Sequence, residues 1–421
     1  MSDDGAARWS SSIEQVYRAE YGRVVASLVR RFGDIDLAEE AAGEALLAAV
    51  EKWPTDGIPP NPGGWLTVTA GNRAIDRIRR ESRRADKHQQ ALMIDDTDPR
   101  DPTGPVSDDR LRLIFTCCHP ALAPEARVAL TLKLLGGLGV GEIAAAFLVP
   151  ETTMAQRLTR AKRKIREARI PYRVPGPDDL ARRLDGVLAV VYLVFNEGYL
   201  ASSGDAPVRE ELTGEAIRLG RVLRELLPDD PEVAGLLALM LLTEARRAAR
   251  FAGGELVPLH EQDRGGWDRT LIAEGHALVR ECLARNRPGH YQLMAAVNAV
   301  HTSAPAAADT DWGQIATLYA QLQAVAPSPV VALNRAVAIA ELDGPEVALA
   351  EVDRIAEGSP GLAAYHALHA TRADLLRRLG RSAEARAAYD KAIETTGNDA
   401  ERAYLARRRA SLAPPGGPAT G

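Results

Sequence analysis

The sequence lacks the disulfide framework, the zinc-site spacing and the catalytic motifs that identify many secreted proteins and enzymes. Three cysteines in 421 residues are too few for a disulfide framework. Cys117, Cys118 and His119 are adjacent and lack the spacing of a zinc site. The HExxH pattern that His260 begins is broken by Arg264. Phosphate-loop and GxSxG motifs are also absent, so we expect no metal, no cofactor and no catalytic residue.

Long apolar runs are missing as well. The longest, Gly186–Phe195 and Gly235–Leu242, are too short to span a bilayer. The first residues, MSDDGAARW, are acidic and polar and lack the apolar core of a signal peptide. Aromatic residues make up only 5%, whereas Ala, Leu, Arg and Glu dominate, which favours helix over strand. We therefore expect an all-α, cytoplasmic protein of two or three domains with no membrane partner.

The net charge of −5 conceals strong local differences. The segments Arg73–Arg84 and Arg157–Arg173 are basic, and a local basic patch is enough to steer DNA. The segment DDTDPRDPTGPVSDD, Asp95–Asp109, is rich in Asp and Pro and indicates a linker. The predicted divisions are a helical unit at 10–90, an acidic flexible linker at 91–107, a second unit at 108–171 and a helical C-terminal region at 178–415.

A helix-like segment, NPGGWLTVTAGNRAIDRIRRESRR, occupies Asn61–Arg84. Its spacing predicts one narrow apolar stripe, made of Val68, Gly71, Ile75 and Ile78. Arginines recur at the same spacing on another face, at Arg73, Arg77, Arg80 and Arg84. Two interpretations remain open from this segment alone: a charged surface helix, or a helix that lies against a phosphate backbone.

The second unit contains GEIAAAFLVPETTMAQRLTRAKRKIREAR, which has the pattern of a helix-turn-helix. Pro150 fits the first position of the second helix, where its missing N–H is not needed. That helix presents side chains that can reach phosphates or base edges in a major groove. They are Thr152, Thr153, Gln156, Arg157 and Arg160, followed by the basic tail Lys162, Arg163, Lys164 and Arg166.

With both units in view, the first part of the chain resembles a bacterial sigma factor of the extracytoplasmic-function group. LAEEAAGEALLAAVEKWP, Leu37–Pro54, is similar to the acidic helix by which these factors grip the clamp helices of the polymerase β′ subunit. The resemblance implies that the partners are core RNA polymerase, through its β′ clamp helices and β subunit, and promoter DNA. The polymerase-binding residues that it implies are Glu39, Glu40, Glu44, Leu47 and Trp53.

The same resemblance assigns the two basic helices. WLTVTAGNRAIDRIRRESRR resembles the helix that captures the −10 element, with Trp65 packing it onto its domain. The implied −10 residues are Asn61, Asn72, Arg73, Asp76, Arg77, Arg79, Arg80, Arg83 and Arg84. The implied −35 residues, on the helix-turn-helix, are Thr152, Thr153, Gln156, Arg157, Arg160, Lys162 and Arg163.

The remainder resembles the long extension of one subgroup of these factors, most closely in NEGYLASSGD, LIAEGHALV and SPVVALNRAVAIAELDGP. The segment His366–Asp399 also fits a tetratricopeptide repeat. Its small and aromatic packing positions are Gly380, Ala385, Tyr389 and Ala392. Val331–Arg354, with Gly344, looks like a degenerate earlier copy. Stacked helix pairs present concave surfaces, so we expect a protein or peptide partner; the alternative is a domain that only packs on the sigma core.

Three functions compete at this stage. The first is a promoter-specificity subunit that directs initiation, with an extension that regulates or enables it. The second is a helix-turn-helix regulator with a repeat-type sensor domain. This hypothesis does not explain the acidic helix Leu37–Pro54 or the helix of Trp65–Arg84. The third is an enzyme whose pocket lies in the C-terminal region. The residues that could line such a pocket are Asn196, Glu197, Tyr199, His260, Asp263 and Trp267.

Overall fold

The structure is a computed structural model that describes residues 3–85, 106–147, 149–199, 210–252 and 255–412. Most of the predicted acidic linker lies outside the described residues, as does the end of NEGYLASSGD. Within the described part, helices dominate, and the only sheet pairs Phe251–Ala252 (β1) with Glu255–Leu256 (β2) in antiparallel register. The all-α prediction is confirmed. None of the described helices combines the length and the apolar character needed to cross a membrane.

The first compact unit covers Met1–Leu193. Its helices are α1 Asp3–Phe32, α2 Ile35–Asp56, α3 Pro62–Ala85, α4 Val106–Cys117, α5 Pro124–Leu134, α6 Val140–Ala146, α7 Glu151–Glu167 and the greater part of α8 Pro177–Tyr199. Helices α1, α2 and α3 pack on one another, and α5, α6 and α7 form a second group.

Alanines set the close packing of α2. Ala38, Ala45 and Ala49 are fully buried, so the helix can approach α1 and α3 without large side chains between them. Asp34 starts the helix, because its Oδ1 accepts from the backbone N–H of Asp36 (2.8 Å) and of Leu37 (3.1 Å). The acidic side chains of α2 are thereby placed on the faces that the alanines leave open.

The helix-turn-helix group packs against α1. The backbone of Gly22 on α1 comes so close to the chain after α5 that an added Cβ would lie 2.9 Å from the Leu135 carbonyl oxygen. Tyr172 contacts α1 as well: its hydroxyl lies 2.8 Å from the Ala26 carbonyl oxygen and 3.0 Å from that of Asp109. The segment after α7, which falls between the predicted divisions at 108–171 and 178–415, is therefore a packing element of this unit.

The second compact unit covers Val194–Gly421. Its helices are α9 Glu210–Leu226, α10 Pro231–Glu244, α11 Arg269–Arg285, α12 His290–Ser303, α13 Trp312–Val325, α14 Pro329–Leu342, α15 Pro345–Gly358, α16 His366–Arg378, α17 Ser382–Thr395 and α18 Asp399–Ala410. From α12 onward each helix packs on the next, which builds a stack of antiparallel neighbours. Helix α10 is buried along almost its entire length.

The predicted tetratricopeptide repeat matches α16 and α17. Gly380 lies in the turn between them with φ +72°, which favours glycine. Ala385, Tyr389 and Ala392 are all buried, as the packing positions of the repeat require. The degenerate earlier copy corresponds to α14 and α15, and Gly344 between them has φ +91°.

Candidate nucleic-acid and polymerase interface

Helix α3 is anchored at its start by a cap and an aromatic pair. The Oδ1 of Asn61 accepts from the Gly64 N–H at 2.9 Å. The ring of Trp65 packs edge-on against Trp53, with 5.4 Å between centroids. Trp53 is only 2% exposed, so its side chain supports the α2–α3 contact and offers no surface to polymerase. The prediction that Trp53 contacts polymerase is corrected on this ground.

The buried stripe of α3 differs from the predicted one. Val68 is 51% exposed, whereas Leu66, Ala70 and Ala74 are buried. These three follow a four-residue spacing, and Ala70 and Ala74 lie one position before Gly71 and Ile75, which are buried and half-buried. Small side chains are needed here because α3 packs tightly against α1 and α2. Periodicity alone cannot show that the helix buries a stripe of alanines and leaves a valine exposed.

The basic side chains of α3 fall into two groups. Arg73 Nε lies 3.8 Å from Glu44, and Arg77 lies 2.7 Å from Glu40, so both reach toward α2. A second set, further around the helix, is exposed to solvent. Its members are Asn72, Asp76, Arg79 and Arg80. Helix α3 continues through the positions of Arg83 and Arg84.

The outer face of α2 combines acids with exposed apolar side chains. Leu47 is 64% exposed and Val50 is 50% exposed, and Glu40 and Glu51 are exposed on the same helix. Exposed leucine and valine beside carboxylates are unusual on a surface that faces only water, and they are typical of a protein-binding patch.

Helix α7 presents one polar line away from the domain. Buried Met154, Leu158, Ala161 and Ile165 fix its rotation. The exposed side chains on the other side are those of Thr152, Gln156, Arg160 and Arg163, with Thr153 and Arg157 half-buried between the two faces. Six of the seven predicted −35 residues therefore lie wholly or partly on the outward side of the helix.

Lys162 is the exception. Its Nζ lies 2.7 Å from Asp36 and 2.9 Å from Glu39, both on α2. Burial acts to lower the pKa of Lys162, but the two carboxylates outweigh it and raise that pKa. The prediction that Lys162 reads DNA is corrected, because an ammonium held between two acids is turned away from the exposed face of α7.

Two further basic side chains complete this contact. Lys133 lies 3.2 Å from Glu39, and Arg166 lies 2.7 Å from Asp36. Glu39, predicted to bind polymerase, is therefore covered by α5 and α7 in this structure. The sequence showed the opposite charges of α2 and α7, but only the packing on α1 brings them together.

Three of the six residues considered for an enzyme pocket have structural tasks. Asp263 caps a short turn, since its Oδ1 accepts from Gly265 N–H at 2.8 Å. Trp267 is 3% exposed and lies under the guanidinium of Arg264. Tyr199 lies under Arg250, 3.9 Å from the ring centroid. These contacts account for the three side chains, so a catalytic role is not needed to explain them.

A helical domain with an exposed basic helix, followed by a helix-turn-helix, defines a DNA-binding transcription factor. Comparison with protein families agrees. Sigma-70 region 2 matches residues 16–84, and Sigma-70 region 4 matches residues 112–165. A family of unknown function, DUF6596, matches residues 183–283. The match to region 2 accounts for α2 and α3, which the alternative of an ordinary helix-turn-helix regulator leaves unexplained.

The relatives narrow this class. The uncharacterized protein R00370 of Rhizobium meliloti is 44% identical over 390 residues, which is 91% of this chain and 92% of the relative. The probable ECF RNA polymerase sigma factor SigI of Mycobacterium tuberculosis is 31% identical over 163 residues, 38% of this chain and 56% of SigI. SigK of Mycobacterium ulcerans, an ECF sigma factor, is 28% identical over 151 residues, 34% of this chain and 78% of SigK. No solved structure matches.

The chain belongs to the extracytoplasmic-function group of sigma-70 family RNA polymerase sigma factors, with a long helical C-terminal extension. Its function is therefore that of a sigma factor in transcription initiation.

Proposed function

We propose that this sigma factor binds core RNA polymerase in the cytoplasm and captures the −10 element with α3 and the −35 element with α7, without catalysis of its own. The observation that carries the proposal is the division of α3. Arg73 and Arg77 are directed toward acids of α2, whereas the exposed Arg79 and Arg80 lie further around the helix. Two exposed cations on the outer side of a helix that is otherwise well anchored fit a phosphate backbone.

At the −10 element, the exposed polar residues have separate tasks. Asn72 and Asp76 lie on the exposed side of α3 and carry hydrogen-bonding groups suited to unpaired bases. Arg79 and Arg80 follow on the next turn, where they hold the strand by its phosphates. Bases captured in this way stabilise the melted duplex.

At the polymerase, α2 offers a mixed acidic and apolar patch made of Glu40, Glu44, Leu47, Val50 and Glu51. The exposed Leu47 and Val50 supply apolar area, and the carboxylates supply the charge that suits the basic β′ clamp helices. The β subunit is proposed as the partner of the helix-turn-helix group. Glu40 and Glu44 already pair with arginines of α3, which fixes their rotamers at the edge of this patch.

The test of the −10 interface is a double substitution, Arg79→Ala with Arg80→Ala. We expect open-complex formation to weaken and the slope of log K against log salt to fall by about two, about one for each phosphate that is no longer neutralised. Binding to core polymerase should stay as in the wild type, because both arginines lie on the exposed side of α3 and outside the proposed polymerase patch of α2.

The matched control is Arg280→Ala with Arg287→Ala. Both arginines are exposed and belong to the C-terminal unit, so the control removes the same net charge from positions outside α3 and α7. We expect it to leave the salt slope unchanged. An equal fall in both double variants would mean that overall charge, and not α3, sets the slope, and the proposed −10 interface would be wrong.

We further propose that the C-terminal unit regulates or enables this activity by binding a partner protein or peptide on its stacked helices. A chain that ends at residue 193, the limit of the first compact unit, should still bind core polymerase but transcribe poorly or without control. In vitro transcription at matched holoenzyme concentration measures this. Equal transcription by the two chains, together with an equal response in cells, would remove the proposed role.

A further inference from the structure

The C-terminal unit contains a large cavity inside its helix stack. Its volume is about 860 Å³, and its wall is formed by α12, α13, α14, α16, α17, α18 and the loop after β2. The stack closes on itself: Arg408 of α18 lies 2.9 Å from Glu261 of that loop, and Arg407 lies 3.1 Å from Glu255 of β2. An open solenoid groove has thus become a pocket closed by contacts between distant parts of the chain.

A buried cation forms part of the wall. Arg264 is 8% exposed and lines the cavity. Its Nη1 donates to the carbonyl oxygens of His301 (2.6 Å) and Ala304 (2.7 Å), and its Nη2 lies 3.3 Å from the hydroxyl of Thr310. All three acceptors are neutral, and its Nε has no acceptor among the described residues. The carboxylate of Asp309 acts on this guanidinium electrostatically, from outside its set of hydrogen bonds. A guanidinium whose hydrogen-bond acceptors are all neutral is costly to bury and creates a local positive potential.

A second cation strengthens this potential. Arg246 is also 8% exposed, and its Nη2 donates to the neutral Asn298 Oδ1 at 2.7 Å. Burial and the charge of Arg246 both act to lower the pKa of Arg264. His301, beside them, stays neutral at physiological pH because its pKa is lowered to about 4. Arg264 lines the cavity, and Arg246, which is not a lining residue, adds positive charge beside it. An anionic ligand in the cavity would reduce the repulsion between the two guanidiniums.

The cavity rim contrasts with this wall. Arg377 is paired with Asp374 at 2.6 Å, and Arg378 is paired with Glu341 at 2.7 Å. These cations are already neutralised by their own neighbours on the stack. Arg264 differs from these arginines in that its hydrogen-bond partners among the described residues are all neutral.

The lining combines these polar side chains with aromatic and apolar ones. Its aromatic side chains are Trp312, Tyr319, Tyr389 and Tyr404. Val337, 37% exposed, and Asn334, exposed one turn earlier on α14, also line the cavity. A concave lining that offers both apolar area and fixed polar groups can hold a small molecule, and the volume falls within the range of about 300–1,000 Å³.

We propose that this cavity binds a small organic anion, with an aromatic or apolar body and one acidic head group. The head group neutralises the buried cations around Arg264, and the body packs against the aromatic lining. Asn334 supplies a hydrogen bond to a polar substituent. The C-terminal unit is in this way a sensor for a small molecule, independent of how the sigma domains engage DNA.

The test uses a fluorescent aromatic anion, anilinonaphthalene sulfonate, and its uncharged analogue N-phenylnaphthylamine, which keeps the aromatic body and lacks the acid. Both are titrated into the full-length protein. We expect the anion to bind at one site per chain. The neutral analogue should bind at least about tenfold more weakly, because the buried cations then have no anion to neutralise them.

Two variants locate the probe. Val337→Trp places a large ring in the cavity and should abolish binding of the anion. Val347→Trp is the matched control, since Val347 is 52% exposed on α15 and does not line the cavity; it should bind the anion as the wild type does. Arg264→Gln should remove the preference for the anion over the neutral analogue.

Three results would overturn the proposal. The first is equal affinity for the charged and uncharged probes in the wild type. The second is unchanged anion binding by Val337→Trp. The third is equal loss of binding in both tryptophan variants. If Arg264→Gln does not fold, the probe pair and the two tryptophan variants still decide the question.

Discussion

At the scale of single residues, position on a helix separates similar side chains into different tasks. Arg77 and Arg80 belong to the same basic segment, yet Arg77 is half-buried and pairs with Glu40 on α2, whereas Arg80 is exposed. Lys162 and Lys164 are two residues apart on α7, and Lys162 is held by acids while Lys164 is exposed. The side of the helix on which a charge lies, and not its type, determines what it can bind.

His301 gives a prediction about pH. Burial, and then the charges of Arg246 and Arg264, lower its pKa to about 4, from 6.5 in the unfolded chain. As the pH falls from 6.5 toward 4, the unfolded chain takes up this proton and the folded chain does not. The free energy of unfolding of the C-terminal unit should therefore fall by about 3 kcal/mol over this window.

Replacing His301 by Phe tests this origin. The ring stacks edge-on against Trp312, 5.4 Å away, and phenylalanine can keep that contact without a titrating nitrogen. Urea unfolding of the full chain at pH 7 and near pH 4.5 should show a smaller loss of stability in the variant. Parallel losses in the two proteins would mean that other groups cause the effect.

Arg160 gives a second prediction at this scale. It is exposed on the outward line of α7, and its Nε lies 3.3 Å from the Gln156 carbonyl oxygen, which directs the side chain along the helix. Arg160→Ala should cost about 1–3 kcal/mol in promoter affinity if the guanidinium contacts a base. Changes in the −35 element should then lose part of their effect on transcription.

The control for Arg160 is Lys164→Ala, which removes an equal charge from an exposed position further along α7. We expect it to weaken binding to all promoters equally. A variant at Arg160 that still discriminates −35 mutants as the wild type does would show that this residue contacts only the DNA backbone.

At the scale of elements, local signals predicted the helix pairs well. Pro150 is immediately before α7 and acts as its cap residue, one position before the expected first position. The turn between α16 and α17 falls at Gly380, as the repeat predicts. The predicted stripe of α3 was wrong at Val68, because the helix buries alanines against two neighbours, and that choice belongs to packing between elements.

Gly344 gives the prediction for an element. It joins α14 to α15 with φ +91° and has no atom within 4 Å of an added Cβ, so only backbone strain opposes a side chain there. Gly344→Ala should lower the free energy of unfolding of the C-terminal unit by about 1–3 kcal/mol. Thermal or urea unfolding of the full chain measures this.

Gly358 provides the opposite case. It is the last residue of α15, its φ is not in the left-handed region, and an added Cβ would also meet nothing within 4 Å. Gly358→Ala should leave stability unchanged or raise it by about 0.4–1 kcal/mol, because alanine restricts the unfolded chain. Similar destabilisation by both substitutions would contradict the strain argument.

At the scale of the first compact unit, helix packing brings together charged side chains that lie far apart in the sequence. Lys133, Lys162 and Arg166 cover Asp36 and Glu39 on α2. A polymerase that takes hold of this part of α2 must first displace the helix-turn-helix group. The pairs of Lys133 and Lys162 are partly buried. Arg166 is exposed, and exposed pairs contribute about 0–1 kcal/mol.

Lys162→Glu tests this closure. The new carboxylate would face Asp36 and Glu39, and like-charge repulsion should separate α7 from α2. Dyes attached through Glu51→Cys and Ala168→Cys, both exposed positions, should then show lower energy transfer than in the parent protein. The native cysteines are buried, which favours labelling at the introduced ones.

The control is Lys164→Glu, the same change of charge on the exposed side of α7. We expect energy transfer as in the parent protein. If Lys162→Glu also leaves the transfer unchanged, the closure is held by the contacts of Gly22 and Tyr172 with their neighbours, and the ion pairs are not needed for it.

The helical class, the two sigma domains and the helix-turn-helix could all be predicted from the amino-acid sequence. These follow from composition, from spacing along one segment, and from resemblance over short motifs, all of which are local. The repeat at His366–Asp399 could be located in the same way. Close contacts between its helices need small residues at fixed positions, and this pattern is visible in the sequence.

Which charges stay exposed depends instead on long-range packing. Lys162 and Trp53 have residue types that suit their predicted tasks. In the structure, however, Lys162 pairs with acids of α2 that lie far away in the sequence, and Trp53 packs against Trp65 of another helix. The same holds for the proposed anion site: the chain buries Arg264 of the cavity lining and Arg246 near each other, without an acid among their hydrogen-bond partners. Local spacing encodes the face on which a side chain lies, but it does not encode the distance between two helices.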